Sequence, residues 1–158
     1  MGGAPLSSPI RLNLGCANRP HPGYTNLDMQ ALPGVDVVYR IDPFYPKLPF
    51  PNDSVSELYA NNIVEHIADT VALINEFGRV SVDGARWFIL TPGYLDVNSW
   101  RDPGHLSHWE ERVLEFWTKD GFDYRHYTDK FWITYELLGD NNHGLEFHVT
   151  VHKAGGSV

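Results

Sequence analysis

Apolar positions fall along this chain in two rhythms, and each change of rhythm assigns an element. Ile10, Leu12 and Leu14 alternate with polar neighbours and the run stops at Gly15, as a buried strand does where its chain must turn sharply at a sheet edge. Pro20, Pro22 and Gly23 then break the chain, and residues 24–27 form a second short strand ending on the carboxylate of Asp28. Residues 35–41 carry Val35, Val37, Val38 and Ile41 and predict a third strand with Asp42 at its end. Pro43, Pro46, Pro49 and Pro51 exclude a helix up to Asn52, because each proline fixes φ and removes an amide donor. Residues 55–60 read as a fourth strand.

The rhythm then turns helical: Ile63, Ile67, Val71, Ile74 and Phe77 recur at helical spacing, with Asp69 placed as N-cap of the main segment and Asp83 and Gly84 as the turn that ends it. Residues 87–90 make a fifth strand, stopped by Pro92 and Gly93. Ser107 and Glu110 have capping-box spacing and predict a helix with Trp109, Val113, Phe116 and Trp117 on one face. Residues 131–138 and 145–152 alternate on either side of a segment rich in Gly, Asn and Asp, which predicts a hairpin. In its second strand Leu145, Phe147, Val149 and Val151 face the core, while Glu146, His148, Thr150 and His152 face out; Trp132 and Leu138 fall on the outer face of the first strand.

Strands separated by helical or irregular crossovers imply an α/β fold with a mostly parallel sheet, and the closing hairpin adds an antiparallel edge. Only residues 15–23 separate Leu14 from Tyr24, fewer than the dozen or so a parallel crossover helix needs. The first crossover helix is therefore reduced or absent.

That shortage bears on ligands. In an open α/β sheet ligands sit beyond the carboxyl ends of the strands, where Gly15 lets a ligand lie against its backbone and Asp28 could accept both ribose hydroxyls of a nucleoside. The same residues also fit an ordinary strand-turn-strand with a surface aspartate. A dinucleotide places its pyrophosphate on the N-terminus of the first crossover helix; a nucleoside with no phosphate and a positive sulfonium does not need that helix and suits carboxylates.

At 158 residues the chain is read as a loose tail over 1–9 and one domain over 10–158. A net charge of −8 with no Lys/Arg cluster argues against a nucleic-acid partner. No apolar run approaches the roughly 20 residues that span a bilayer, so no membrane contact is expected. Cys16 is the only cysteine, which excludes an internal disulfide and fits a reducing, cytoplasmic location. Beside Gly15 it is either a nucleophile or, the commoner fate, a small buried thiol under a loop. No metal set is read from spacing: His148 and His152 lie about 13 Å apart along one strand face, and His105 and His108, which could approach each other, have no further Cys or acid at ligand spacing.

Several short motifs occur in order: Leu-Asn-Leu-Gly-Cys-Ala at 12–17, Asn-Leu-Asp at 26–28, Ile-Asp at 41–42, Leu-Pro-Phe-Pro-Asn-Asp-Ser-Val at 48–55, Glu-His-Ile at 65–67 and Glu-Phe-Gly-Arg-Val at 76–80. As a set, over about residues 10–93, they resemble the class I S-adenosylmethionine-dependent methyltransferases, in particular the type 11 branch. The resemblance implies a Rossmann-like sheet of about seven strands that binds S-adenosylmethionine. It implies that Gly15 with its neighbours Leu14, Cys16 and Ala17 borders the methionine part, that Asp28 holds the ribose, that Met29 lies on the adenine face and Asp42 faces its amine, and that Asn61 sits beside the cofactor. Ala17 stands where the family usually has a glycine, which is tolerated if its φ is negative. The chain is also short for that family, which typically adds helices before the first strand, so the site is expected to be open or completed by a second copy or a partner chain.

Methyl transfer from a sulfonium is an in-line displacement, and a hydroxyl or ammonium acceptor is helped by a base. Residues 98–108 reproduce the family's Asp-Pro-x-His element at Asp102, Pro103, Gly104 and His105. His105 is the first choice of catalytic base; it and Arg101 fit equally as pins of the loop. Glu65 and His66 start a helical stretch on the cofactor side, where a carboxylate usually caps or pairs locally. The expected function is methyl transfer to a small-molecule or glycan-like acceptor. The rival is a catalytically silent, methyltransferase-like binding subunit, and a nicotinamide dehydrogenase is disfavoured by the missing crossover helix.

Overall fold

The computed structural model describes residues 8–121 and 127–155. Its strands are β1 (Ile10–Leu14), β2 (Thr25–Asp28), β3 (Val37–Val38), β4 (Val55–Asn61), β5 (Ser81–Pro92), β6 (Phe131–Gly139) and β7 (Gly144–Lys153). They form one seven-stranded sheet in the order β3-β2-β1-β4-β5-β7-β6. The first five strands of that order pair in parallel, and β7 runs antiparallel to both β5 and β6. Two α-helices, α1 (Thr70–Val80) and α2 (Val97–Arg101), and 3-10 turns at Val64–His66 and Val113–Trp117 complete the elements. The α/β sheet with its antiparallel C-terminal hairpin is as expected, and residues 15–24 between β1 and β2 hold turns and no helix.

The helical crossover from β4 to β5 is α1. Asp69 caps it, accepting from the Ala72 amide at 2.8 Å. Leu73, Ile74 and Phe77 are buried against the sheet, with Phe77 edge-on to Trp87 at 5.7 Å and Phe131 beyond it; each such side chain contributes about 1.5–3 kcal/mol of apolar burial. The proline-rich segment before β4 is tied to the same helix. Buried Glu76 accepts from the Leu48 amide at 2.7 Å and from Arg79, which also donates to the carbonyls of Leu48 and Phe50. Burial pushes the Glu76 carboxyl up, but Arg79 and the Leu48 amide outweigh it and hold the group below its ordinary range.

Three expectations are corrected. The third strand shrinks from residues 35–41 to Val37–Val38, because Val35 donates into a turn with Leu32 and the Asp36 carboxylate takes the Asn26 amide. The main helix does not end at Asp83 and Gly84: Ser81 closes it, its hydroxyl donating to the Phe77 carbonyl at 2.7 Å, and β5 begins at once. Asp83 and Gly84 form a kink inside β5, where pairing with β4 slips between Val55 and Glu57. The capping box does not form either. The Ser107 hydroxyl donates to the Val64 carbonyl and accepts from the Trp109 indole, and Val113–Trp117 is a 3-10 turn without a side-chain cap.

The hairpin alternates as read, with Leu145, Phe147, Val149 and Val151 buried and Trp132 stacked on His152 at 3.8 Å. The opposite face of the sheet is polar: register lines up Arg11, Glu57, Arg86, Thr150 and Thr134 in one row across five strands. Residues 1–7 of the expected tail, and 122–126 and 156–158 of the expected domain, lie outside the described residues. No helix among the described residues is long and apolar enough to cross a membrane.

Candidate functional site

Beyond the carboxyl ends of β1, β2 and β4 lies a cavity of about 470 Å³. Gly15, Asp28 and Met29 line one side, Tyr39, Arg40, Ile41 and Pro43 another, and Asn62, Ile63, His66 and Leu106 close it. Gly15 stands at φ +62°, and a Cβ there would fall 2.7 Å from Cδ1 of Ile63. The turn after β1 thus requires a residue without a side chain, both for its left-handed backbone and for its packing. Asp28 fixes that turn: Oδ2 accepts from the Ala17 amide at 2.8 Å and Oδ1 from the Gln30 amide at 2.9 Å. Each oxygen keeps a further lone pair for a donor in the cavity.

A second cavity, of about 660 Å³, adjoins the first and shares Asn62 and His66 with it. Asn61 and Glu65 line it from the end of β4, Thr91 and Pro92 from β5, and Arg101, Asp102 and His105 from α2 and its following loop. That loop is clamped onto the turn at 64–66, since the Glu65 carbonyl accepts from the amides of Leu106 at 2.8 Å and Ser107 at 3.1 Å. His66 and His105 meet edge to face, 4.8 Å between ring centres. Glu65 is 2% exposed; its Oε2 accepts from the Thr91 hydroxyl at 3.1 Å, and its Oε1 has no hydrogen-bond partner. Burial pushes its carboxyl above the ordinary range.

No family model matches the sequence. No curated protein matches it either. Solved structures do match by shape. A S-adenosylmethionine-dependent methyltransferase from Aquifex aeolicus superposes with a TM-score of 0.55 at 12% identity, over 92% of this chain and 84% of that one. A protein from Sulfolobus solfataricus assigned as a type 11 methyltransferase gives 0.57 at 15% identity, over 96% and 88%. The Haloferax volcanii Trm112 methyltransferase activator in complex with a protein assigned as a methyltransferase gives 0.61 at 14% identity, over 94% and 85%. The fold is that of the class I methyltransferases.

Within this methyltransferase fold the expected site residues divide. Gly15, Asp28 and Met29 line the first cavity, and Asn61 and His105 the second. Leu14 and Cys16 are buried and are not among the lining residues of either cavity. Burial, aided by the nearby Asp28 carboxylate, pushes the Cys16 thiol up, which fits the packed thiol and not the nucleophile. Ala17 meets Asp28 through its amide and takes φ +46°, so the negative φ on which tolerance of alanine there depended is not met. Asp42 bends back into its own turn, with Oδ1 accepting from the amides of Phe44 and Tyr45, while its neighbours Ile41 and Pro43 line the wall. His108 does not join His105; it stacks on Trp100 at 3.6 Å and bonds to the Ser99 hydroxyl.

Sequence reasoning missed Asn62 and underweighted His66, the two side chains common to both cavities. Asn62 adopts φ +51°, a conformation asparagine tolerates better than most residues. An Asn-Asn pair closing a strand was the available signal.

Proposed function

We propose that the chain is a S-adenosylmethionine-dependent methyltransferase acting on a small-molecule or glycan-like acceptor. The observation that carries this reading is the pair of cavities meeting at Asn62 and His66, past the carboxyl ends of the parallel strands. In this reading the nucleoside occupies the first cavity, with its ribose hydroxyls donating to Asp28, Met29 against the adenine, and the free Oδ2 of Asp42 left for the exocyclic amine. Leu14, Gly15, Cys16 and Ala17 form the turn around the methionine part, and Asn61 marks its border with the second cavity. The methyl group then points across that border at an acceptor beside His105, which activates the nucleophilic atom.

Met29 and Leu106 line the first cavity and are exposed; a second copy or a partner chain that covered them would complete the site. The resting place is a cytoplasmic one in this reading, as the lone thiol of Cys16 suggests.

Calorimetric titration tests the cofactor. S-adenosylmethionine or S-adenosylhomocysteine should bind, and Asp28→Ala should weaken binding by roughly 1.5–3 kcal/mol through lost hydrogen bonds to a charged group. Thermal unfolding of the variant serves as control, because Asp28 also holds the Ala17 and Gln30 amides. No heat from either ligand at millimolar concentration overturns the reading. His105→Ala then separates an enzyme from a silent subunit: cofactor affinity stays, and turnover in an acceptor screen for S-adenosylhomocysteine release falls by about 10²–10⁴-fold. His105→Gln restores little if the imidazole is chemically required and much if it only pins the loop.

A further inference from the structure

We propose that Glu65, His66 and His105 form a binding site for one divalent transition-metal ion in the wall of the second cavity. Each offers one ligand atom, and those atoms lie within 4.8 Å of one another. The chain brings them together by two devices already described: the 3-10 turn that follows β4 carries Glu65 and His66, and the clamp of Leu106 and Ser107 onto the Glu65 carbonyl delivers His105. Nothing in local spacing reveals the set, because the turn and the loop are far apart in sequence.

The hydrogen bonds prepare both rings for a metal. Nδ1 of His66 lies 2.9 Å from the Gly104 carbonyl, and Nδ1 of His105 lies 3.1 Å from the Ser99 carbonyl. A carbonyl only accepts, so each Nδ1 carries a proton, and in the neutral imidazole that leaves the lone pair on Nε2. That is the tautomer a ligating histidine needs, held by the same kind of outer hydrogen bond that orients metal-bound imidazoles.

The carboxylates supply the second, independent indication. Oε1 of Glu65 is buried without a partner, a costly state that a cation would relieve. Nε2 of His105 faces this atom at 3.9 Å and Oδ2 of Asp102 at 3.7 Å. Those separations are too long for hydrogen bonds, and the lone pair of a neutral imidazole set against two carboxylate oxygens is repulsive until a proton or a cation stands between them. Ligand atoms bound to one ion at about 2.0–2.2 Å lie roughly 3–4 Å apart; Oε1 of Glu65 and Nε2 of His105 already do, and the set as a whole, within 4.8 Å, needs only a small side-chain adjustment to close on an ion. Two imidazoles and a carboxylate suit zinc, manganese, iron or cobalt better than the all-oxygen preference of calcium or magnesium. Such a set leaves positions open to the cavity for water or an acceptor oxygen.

The binding claim stands by itself; its use rests on the methyltransferase reading, with the bound ion, in place of the free imidazole of His105 as base, activating the acceptor. The test is titration of chelator-treated, desalted protein with Co²⁺, followed by its visible d–d absorption and by displacement with Zn²⁺. One equivalent should bind, giving bands typical of imidazole ligation. Glu65→Gln, His66→Ala and His105→Ala should each weaken binding at least 10-fold, while His152→Ala, on the far hairpin, leaves it unchanged. If Glu65→Gln fails to fold, the two histidine variants decide. Absence of a one-equivalent spectrum, or unchanged affinity in folded variants of the three residues, overturns the site. S-adenosylhomocysteine titrated in parallel keeps the claims apart: nucleoside binding without metal removes the ion alone, and metal binding without nucleoside removes the methyltransferase reading alone.

Discussion

Ala17 is held at φ +46° by the hydrogen bond its amide donates to Asp28, in the turn beside the candidate cofactor cavity. A left-handed conformation costs a residue with a Cβ about 1–2 kcal/mol, and glycine gives back about half of that in unfolded-chain entropy. Ala17→Gly should therefore raise stability by about 0.5–1 kcal/mol, read as a higher urea midpoint with an unchanged slope. A lower midpoint would mean that the methyl group packs usefully and that the strain is not paid back. The sequence marked this position as a departure from its resemblance but gave no sign of the angle, since the hydrogen bond that accompanies it joins Ala17 to Asp28 across the turn. Asp28 itself was legible, because a carboxylate at a strand end in an α/β sheet has a defined place. Glu65 was not, because its significance lies in an unpartnered oxygen that only the packed structure exposes.

At the scale of elements, α1 tests whether propensity or packing governs. Glycine inside a helix is about 1 kcal/mol worse than alanine, so sequence alone says that Gly78→Ala should stabilise. In the fold a Cβ on Gly78 would run into the ring of Phe131, on β6, and overpacking of that kind typically costs about 1–3 kcal/mol. The expected outcome is a net loss of up to about 2 kcal/mol in chemical unfolding, with recovery in Gly78→Ala combined with Phe131→Leu. A simple gain would show that the helix can slide. The elements that read correctly, α1 apart from its end and the β6–β7 hairpin, bury one face and so leave a periodic trace in sequence. At β3 and at the 3-10 turn Val113–Trp117 the trace promised more than forms: one is truncated by the side chain of Asp36, the other by the long-range use of Ser107.

At the scale of the whole sheet, the described residues depart from the usual parallel arrangement, in which both faces are covered. Here, among the described residues, the row Arg11, Glu57 and Arg86 crosses the central strands β1, β4 and β5 on the polar face, where Glu57 accepts from Arg11 at 3.1 Å, from Arg86 at 2.6 Å and from the Tyr24 hydroxyl at 2.7 Å. The Tyr24 hydroxyl, more than offsetting the cost of burial, and then Arg86 and Arg11 hold the Glu57 carboxyl down at about 2. A carboxyl whose folded value lies below its unfolded one stabilises the fold above the unfolded value, near 4.5, and loses that contribution as pH falls towards 2. Because both arginines are about half exposed, screening reduces the contribution to about 1 kcal/mol. Glu57→Gln should therefore be less stable than the parent by about that amount near neutral pH, and urea midpoints taken in steps down to about pH 2.5 should converge. Parallel curves at all pH values would show that the row is ornamental and that the apolar face alone holds the strands together.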